Sequence, residues 1–308
     1  MKKTLFDTHA HLISEDWSAY PPKALRSDLP VPERTDYTVS AESLIAMMDE
    51  HDVAKACVVQ RGHIYGYDNS YILDSAKRYP GRLLPIVILD AQDPQTPAVF
   101  TDLVRTAGVR GFRLASARPW LWDTAWMNSP AAMEIWKTCA DLHVPMTLIF
   151  FQDHLSYALP ALKIIAKMYP NLPIVIDHVG TAYALTNVEI GIAREEGRSF
   201  VMPGPPDFGI NDTVRIFEDC PNIYFKVTEI NFERLEEVGI KPARMVRRLA
   251  DSFGAGRLVW GSDIGQSVRW PYPVKTAMAR ASAEYLDKDE AVSFLHDNAA
   301  RIYGDAPR

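Results

Sequence analysis

The feature that most constrains this chain is an alternation. Short, nearly continuous apolar runs recur at residues 5–11, 55–59, 83–89, 109–114, 145–151, 174–178, 223–227 and 258–263. Between them lie stretches with apolar residues at helical spacing: from Ser40 onward, then 71–79, 97–107, 131–142, 160–169, a stretch near 212–220, and 242–253. Helical patterns around 274–285 and 288–302 close the chain. Runs that are apolar on both faces are what a parallel sheet covered on both sides requires, and a strand-then-helix order makes the strands parallel. Eight such units leave a closed (β/α)8 TIM barrel or a long doubly wound sheet. No Gly-rich phosphate fingerprint follows the first run, which disfavours the doubly wound option. The expected fold is α/β, a (β/α)8 barrel, organised as a single domain over 1–308.

Two connections are too long for plain barrel loops. Residues 13–39 carry Trp17, Tyr20 and several prolines, and the aromatics argue against disorder, so this segment reads as a wall or lid over the site that His9 and His11 face. Residues 181–209, with Arg194, Arg198 and a Pro203-Gly204-Pro205-Pro206 turn, read as a substrate-covering loop. Trp120, Trp122 and Trp126 form either an aromatic pocket wall or a packing cluster outside the barrel. Ser40 is placed as the N-cap of the first helix, with Ser43 at its third position.

Composition narrows the partners. The net charge is -6, and Lys and Arg are scattered rather than blocked, which argues against nucleic acid or an anionic membrane. No apolar run approaches the ~18 residues of a membrane span, and the apolar h-region of a signal peptide does not follow Met1-Lys2-Lys3. Cys57, Cys139 and Cys220 are odd in number, far apart and set in apolar contexts, as expected of reduced buried thiols in a cytoplasmic protein. Apolar residues beyond one stripe on several helices leave a homo-oligomer open.

In a barrel of this kind chemistry sits at the C-terminal ends of the strands. Those ends offer His9 and His11, Gln60, Arg113, His178, Lys226 and Asp263. Two histidines spaced by one residue on a strand face the same way and can hold a metal or grip an anion. Each residue also has a plain structural reading. His178 can be a satisfied core histidine, Asp263 a helix cap, Arg113 the partner of an internal acid, and Lys226 a packed stem or a bridge to Glu229. Their convergence on one rim favours an active site.

Asp7-Thr8-His9-Ala10-His11 on the first strand, Asp177-His178 on the sixth and Trp260-Gly261-Ser262-Asp263 on the eighth resemble the amidohydrolase superfamily. More narrowly they resemble its amidohydrolase-related branch of lactonases and metal-dependent aromatic acid decarboxylases, which would place the protein in aromatic compound catabolism. The resemblance implies His9, His11, His178 and Asp263 as metal ligands for one divalent ion, zinc or manganese. It also implies Asp263 as the base that deprotonates water and His178 as the group that polarises the carbonyl.

Two departures stand out. The fourth strand ends in Arg113, where binuclear members carry a carboxylated lysine. The fifth offers no histidine at its tip, and His154 lies three residues beyond it. A two-metal site is disfavoured, and a metal-free mechanism stays open. The expected activity is opening of a lactone of a small carboxylated compound. Arg113 would take the substrate carboxylate in a bidentate grip, with Lys226 and Gln60 as further contacts. The alternative is non-oxidative decarboxylation of an aromatic acid, and a dead barrel that only binds a small acid is a third reading.

Overall fold

The computed structural model describes residues 5–25, 29–114, 125–150, 155–180, 215–237 and 239–304. Strands β1 (Leu5–Ala10), β2 (Val53–Val59), β3 (Leu83–Val87), β4 (Gly111–Leu114), β5 (Met146–Leu148), β6 (Ile174–Ile176), β7 (Ile223–Thr228) and β8 (Leu258–Gly261) pair in sequence order, every pair parallel. The described helices between and after them are α1 (Ala41–Glu50), α2 (Gly62–Tyr65), α3 (Ser70–Arg78), α4 (Thr96–Ala107), α5 (Pro130–Leu142) and α6 (Leu155–Met168). They continue with α7 (Glu229–Glu237), α8 (Pro242–Phe253), α9 (Tyr272–Ser282), α10 (Lys288–Val292) and α11 (Asn298–Tyr303). The fold is the (β/α)8 barrel.

The period of two along each strand sorts side chains between barrel interior and helix layer. Leu83, Val87, Ile174, Ile176, Leu258 and Trp260 pack outward in the larger core, against helix residues such as Phe100, Trp136 and Phe253. Their neighbours Leu84, Ile86, Val175 and Val259 pack inward with Phe6, Cys57 and Val59. Tyr303 of α11 joins that inner cluster, so the last helix plugs the barrel at the end away from the strand tips. Continuing the same alternation toward the tips brings Arg113, Asp177, Lys226, Thr228 and Asp263 to the inner face. The interior is therefore apolar at its base and charged at its mouth.

Closure between β8 and β1 is made by backbone groups near the tips. Asp263 N donates to His9 O at 2.7 Å and His11 N to Ile264 O at 2.8 Å. Asp7 completes the seam, accepting from His9 N (3.0 Å), Ser262 N (2.8 Å) and the Tyr272 hydroxyl (3.1 Å). The approach is so close that a Cβ at Gly261 would lie 2.5 Å from that of His9, which only glycine tolerates.

Local signals agree with the elements in several places. Ser40 caps α1, its hydroxyl accepting from Ser43 N at 3.1 Å. Asp287 and Glu290 form a capping box at α10. The differences are instructive. Helix α6 begins at Leu155, ahead of Pro160, which lies inside it; a proline start had been the natural reading because Pro favours the first turn. Residues 215–217 form only a 3-10 turn where a helix near 212–220 was expected, and residues 212–214 lie outside the described residues. The expected helix at 288–302 is interrupted by a π-helical turn over Ser293–Asp297. Helix α7, following β7 without a loop, carried no capping signal and was not anticipated.

Candidate active site

Three residues at two strand tips, those of β6 and β8, depart from ordinary backbone. His178 (φ 54°), Val179 (φ 57°) and Asp263 (φ 52°) all occupy the left-handed region, which side-chain-bearing residues adopt at a cost and which is exceptional for a β-branched valine. The turn after β6 is held by Asn231 of α7, whose Nδ2 donates to His178 O (2.9 Å) while its Oδ1 accepts from Thr228 N (2.9 Å). This turn lets Asp177 and His178, adjacent in sequence, both reach the barrel mouth.

Asp177 is the hub. It is fully buried, Lys226 Nζ lies 2.8 Å from its Oδ1, and Arg113 Nε donates to its Oδ2 at 3.0 Å. His9 Nδ1 lies 3.4 Å from Oδ1 and 3.1 Å from Lys226 Nζ. Burial alone would raise the Asp177 pKa, but Lys226, His9 and Arg113 outweigh it and hold the carboxyl well below the usual range. The reading of Arg113 as partner of an internal acid is thus realised, with one of the guanidinium's five N–H donors going to Asp177. Lys226 does not bridge to Glu229: the ladder turns its side chain inward to Asp177, and Glu229 pairs with Lys275.

On the other side of His9 lies a tight triangle. His9 Nε2 and His11 Nε2 are 3.2 Å apart, and each is 3.5 Å from Asp263 Oδ1. Both carboxylate oxygens of Asp263 are buried and find no hydrogen-bond partner among the described residues. His11 Nδ1 meets the Val59 carbonyl at 2.8 Å, which fixes its proton there and turns the Nε2 lone pair into the triangle. His178 stands apart from the triangle: its Nδ1 meets the Thr228 hydroxyl at 2.7 Å, and it forms a second possible ion-holding group with His9 and Asp177. Burial pushes all three imidazoles below their ordinary pKa, so they are neutral near pH 7.

The triangle fits a metal ion. A tetrahedral ion with ligand bonds of about 2.0–2.1 Å separates its donors by roughly 3.3–3.4 Å, close to the three edges found here. Two buried carboxylate oxygens without donors are what an ion would satisfy, and His9 Nδ1 beside Asp177 gives the carboxylate–histidine arrangement that orients metal-bound imidazoles.

Gln60 is buried, but its Nε2 braces the following turn through Gly66 O and Asp68 O, while its Oε1 has no partner. The neighbouring Arg61 was not anticipated. Its Nε is buried without a partner, and its charge acts on His11. Burial, with Arg113 adding and Asp263 opposing, pulls its pKa down to about 10. Its only sequence signal was position: it follows a strand tip directly.

The loop at 13–39 is anchored on the helices after β2. Ser14 N donates to the Tyr65 hydroxyl at 2.8 Å, and Trp17 and Tyr20 pack on Tyr65 and Tyr71. Tyr37 reaches the Gly265 backbone close to Asp263, so this part of the segment lies beside the site. His154, Arg194, Arg198, Trp120, Trp122 and the loop at 181–209 lie outside the described residues, as does the Trp126 side chain.

A family model described as amidohydrolase matches residues 6–304, from the start of β1 to the end of the last helix. The chain belongs to the amidohydrolase family. A curated relative is L-fucono-1,5-lactonase of Burkholderia ambifaria, 28% identical over 212 residues, which are 66% of this chain and 60% of that protein. The chain thus aligns with about 60% of its curated relative's length. Among solved structures, a probable 2-pyrone-4,6-dicarboxylic acid hydrolase from Acinetobacter baumannii with citric acid bound superposes with TM-score 0.71 at 21% identity, covering 98% of this chain and 100% of that one. The 5-carboxyvanillate decarboxylase of Novosphingobium aromaticivorans, with manganese, gives TM-score 0.61 at 15% identity, covering 99% and 97%. Zinc or manganese accompanies other barrels of this shape.

Proposed function

We propose that this amidohydrolase opens the cyclic ester of a small carboxylated compound. The observation that carries the reading is Asp263: a buried carboxylate with no hydrogen-bond donor on either oxygen among the described residues, at a barrel tip beside two neutral imidazoles. Such a group is free to take a proton. Asp263 accepts it from the attacking water as oxygen bonds to the lactone carbonyl. His178 Nδ1 meets the Thr228 hydroxyl at 2.7 Å, and in the tautomer with its proton on Nε2 His178 donates to the carbonyl oxygen as negative charge develops there. On collapse the ring C–O bond breaks, and the proton held by Asp263 passes to the leaving oxygen, which departs as an alcohol. A divalent ion held by His9, His11 and Asp263 would make the water more acidic.

Arg61 and Arg113 are assigned to the substrate carboxylate. Two guanidinium groups repel each other beside Asp263, and an incoming anion relieves that repulsion. Lys226, fully buried against Asp177, serves as that carboxylate's counter-charge rather than reaching substrate. The relatives' names support the class: one is a lactonase, and the other is named for a 2-pyrone dicarboxylate. Buried thiols Cys57, Cys139 and Cys220 support a reducing, cytoplasmic setting.

The test is proton release from a panel of acidic and neutral lactones, with Asp263→Asn alongside. Wild type should open acidic lactones, and the variant should lose ~10²–10⁴ in kcat. Carbon dioxide released from aromatic hydroxy acids, with every lactone left intact, would establish the decarboxylase alternative instead.

A further inference from the structure

Behind the tips of β7 and β8 lies a buried ion pair that the proposed chemistry does not use. Lys275 of α9 and Glu229, the first residue of α7, are both about 2% exposed and in direct contact. Lys275 Nζ also donates to two backbone carbonyls of the turn after β8, Ser262 O at 3.2 Å and Ser267 O at 3.0 Å. Asp263 lies between them. Its carbonyl accepts from Gln266 N (3.2 Å) and Ser267 N (3.0 Å), and Ser267 Oγ donates to Glu233 of α7 at 2.7 Å. The ammonium therefore clamps both ends of a turn whose second residue is the left-handed Asp263.

The other partner sits on an equally specific element. Glu229 directly follows Thr228, whose hydroxyl meets His178, and precedes Asn231, which holds the His178 carbonyl. A continuous chain of contacts thus runs from His178 through Thr228 and α7 to Glu229, then through Lys275 to Ser262 and Asp263. Stability alone does not call for charges here, since well-packed apolar replacements of buried ion pairs are often neutral or stabilising. A left-handed turn, in contrast, needs its surroundings to over-determine it.

We propose that Lys275 and Glu229 are positioning residues that set the placement of Asp263 relative to His178. The functional consequence rests on the lactonase reading, in which these two groups act on one substrate; the structural part does not.

Lys275→Met alone would strand a buried carboxylate and destabilise the fold, so the test uses Glu229→Gln with Lys275→Met, which removes both charges together. The first arm needs no activity: crystal structures of wild type and the double variant. The expected result is an Asp263 carboxylate displaced by about 1 Å or more, or spread over conformers. An Asp263 that keeps both histidine contacts overturns the proposal, whatever the substrate. The second arm is kinetic, on the acidic lactone wild type turns over best. A displacement of this size lowers kcat by ~10²-fold, with KM within about threefold. In an Asp263→Asn background the same pair of changes should cost nothing further, because the clamp works through Asp263; a full additional loss overturns the proposal. Wild type inactive on every lactone would refute the proposed function, while the crystallographic arm would still decide the clamp.

Discussion

Replacing Asp177 with Asn probes the centre of the charged mouth. The carboxylate is the counter-charge for Lys226, at 2.8 Å, and Arg113, at 3.0 Å, and both cations are buried with it. An amide of the same shape leaves them without compensation. Breaking a buried pair by removing one partner costs about 3–5 kcal/mol. For 308 residues the unfolding entropy is roughly 0.65 kcal/mol/K, from ~2.1 cal/mol/K per residue. The expected drop in Tm is therefore ~5–8 °C. Differential scanning calorimetry at pH 7.5 with chelator present measures it free of metal linkage. Adding Lys226→Met should recover part of the loss, since it removes one stranded cation. A Tm within about 1 °C of wild type, or a double variant with fully additive loss, would refute the view that Asp177 is held as a counter-ion.

Three further outcomes follow from the same geometry. His9, His11 and His178 have pKa values lowered by burial, so below about pH 6.5 the unfolded chain binds protons that the folded chain does not. Stability is then lost on acidification from that point, by at most on the order of 4 kcal/mol per pH unit; the Tm at pH 5.5 should lie well below that at 7.5, and a flat profile would contradict the assignment. Among the described residues both possible ion-holding groups need His9, so elemental analysis should return no more than one tightly held metal per chain, and two would break the argument. Arg61→Met should lower kcat/KM for acidic lactones by ~10- to 150-fold, the loss of a charge-assisted hydrogen bond, and barely affect neutral ones; equal losses on both would remove Arg61 from carboxylate binding.

Much of this molecule was legible before folding was considered. Alternating apolar runs specify parallel strands and covering helices because burial pattern and backbone period are local properties. Helix α8 at Pro242–Phe253 and the Ser40 cap were readable for the same reason. His9, His11, Arg113, His178, Lys226 and Asp263 were recognisable as rim residues from their place at strand ends, and the structure gathers all six at the barrel mouth. The same alternation puts Asp177, two residues after the inward Val175, on the inner face.

What each rim residue does there was decided by tertiary structure. Nothing in the sequence shows that Arg113 and Lys226 converge on Asp177, that Lys275 rather than Lys226 meets Glu229, or that Arg61 stands near His11. Lys226 and His9 are 217 positions apart, and Ser262 and Asp7 are 255 apart. Such partners are set by the barrel's closure and by left-handed turns at His178 and Asp263. A local pattern specifies which way a side chain leaves its strand; only the closed ring determines which charge it meets inside.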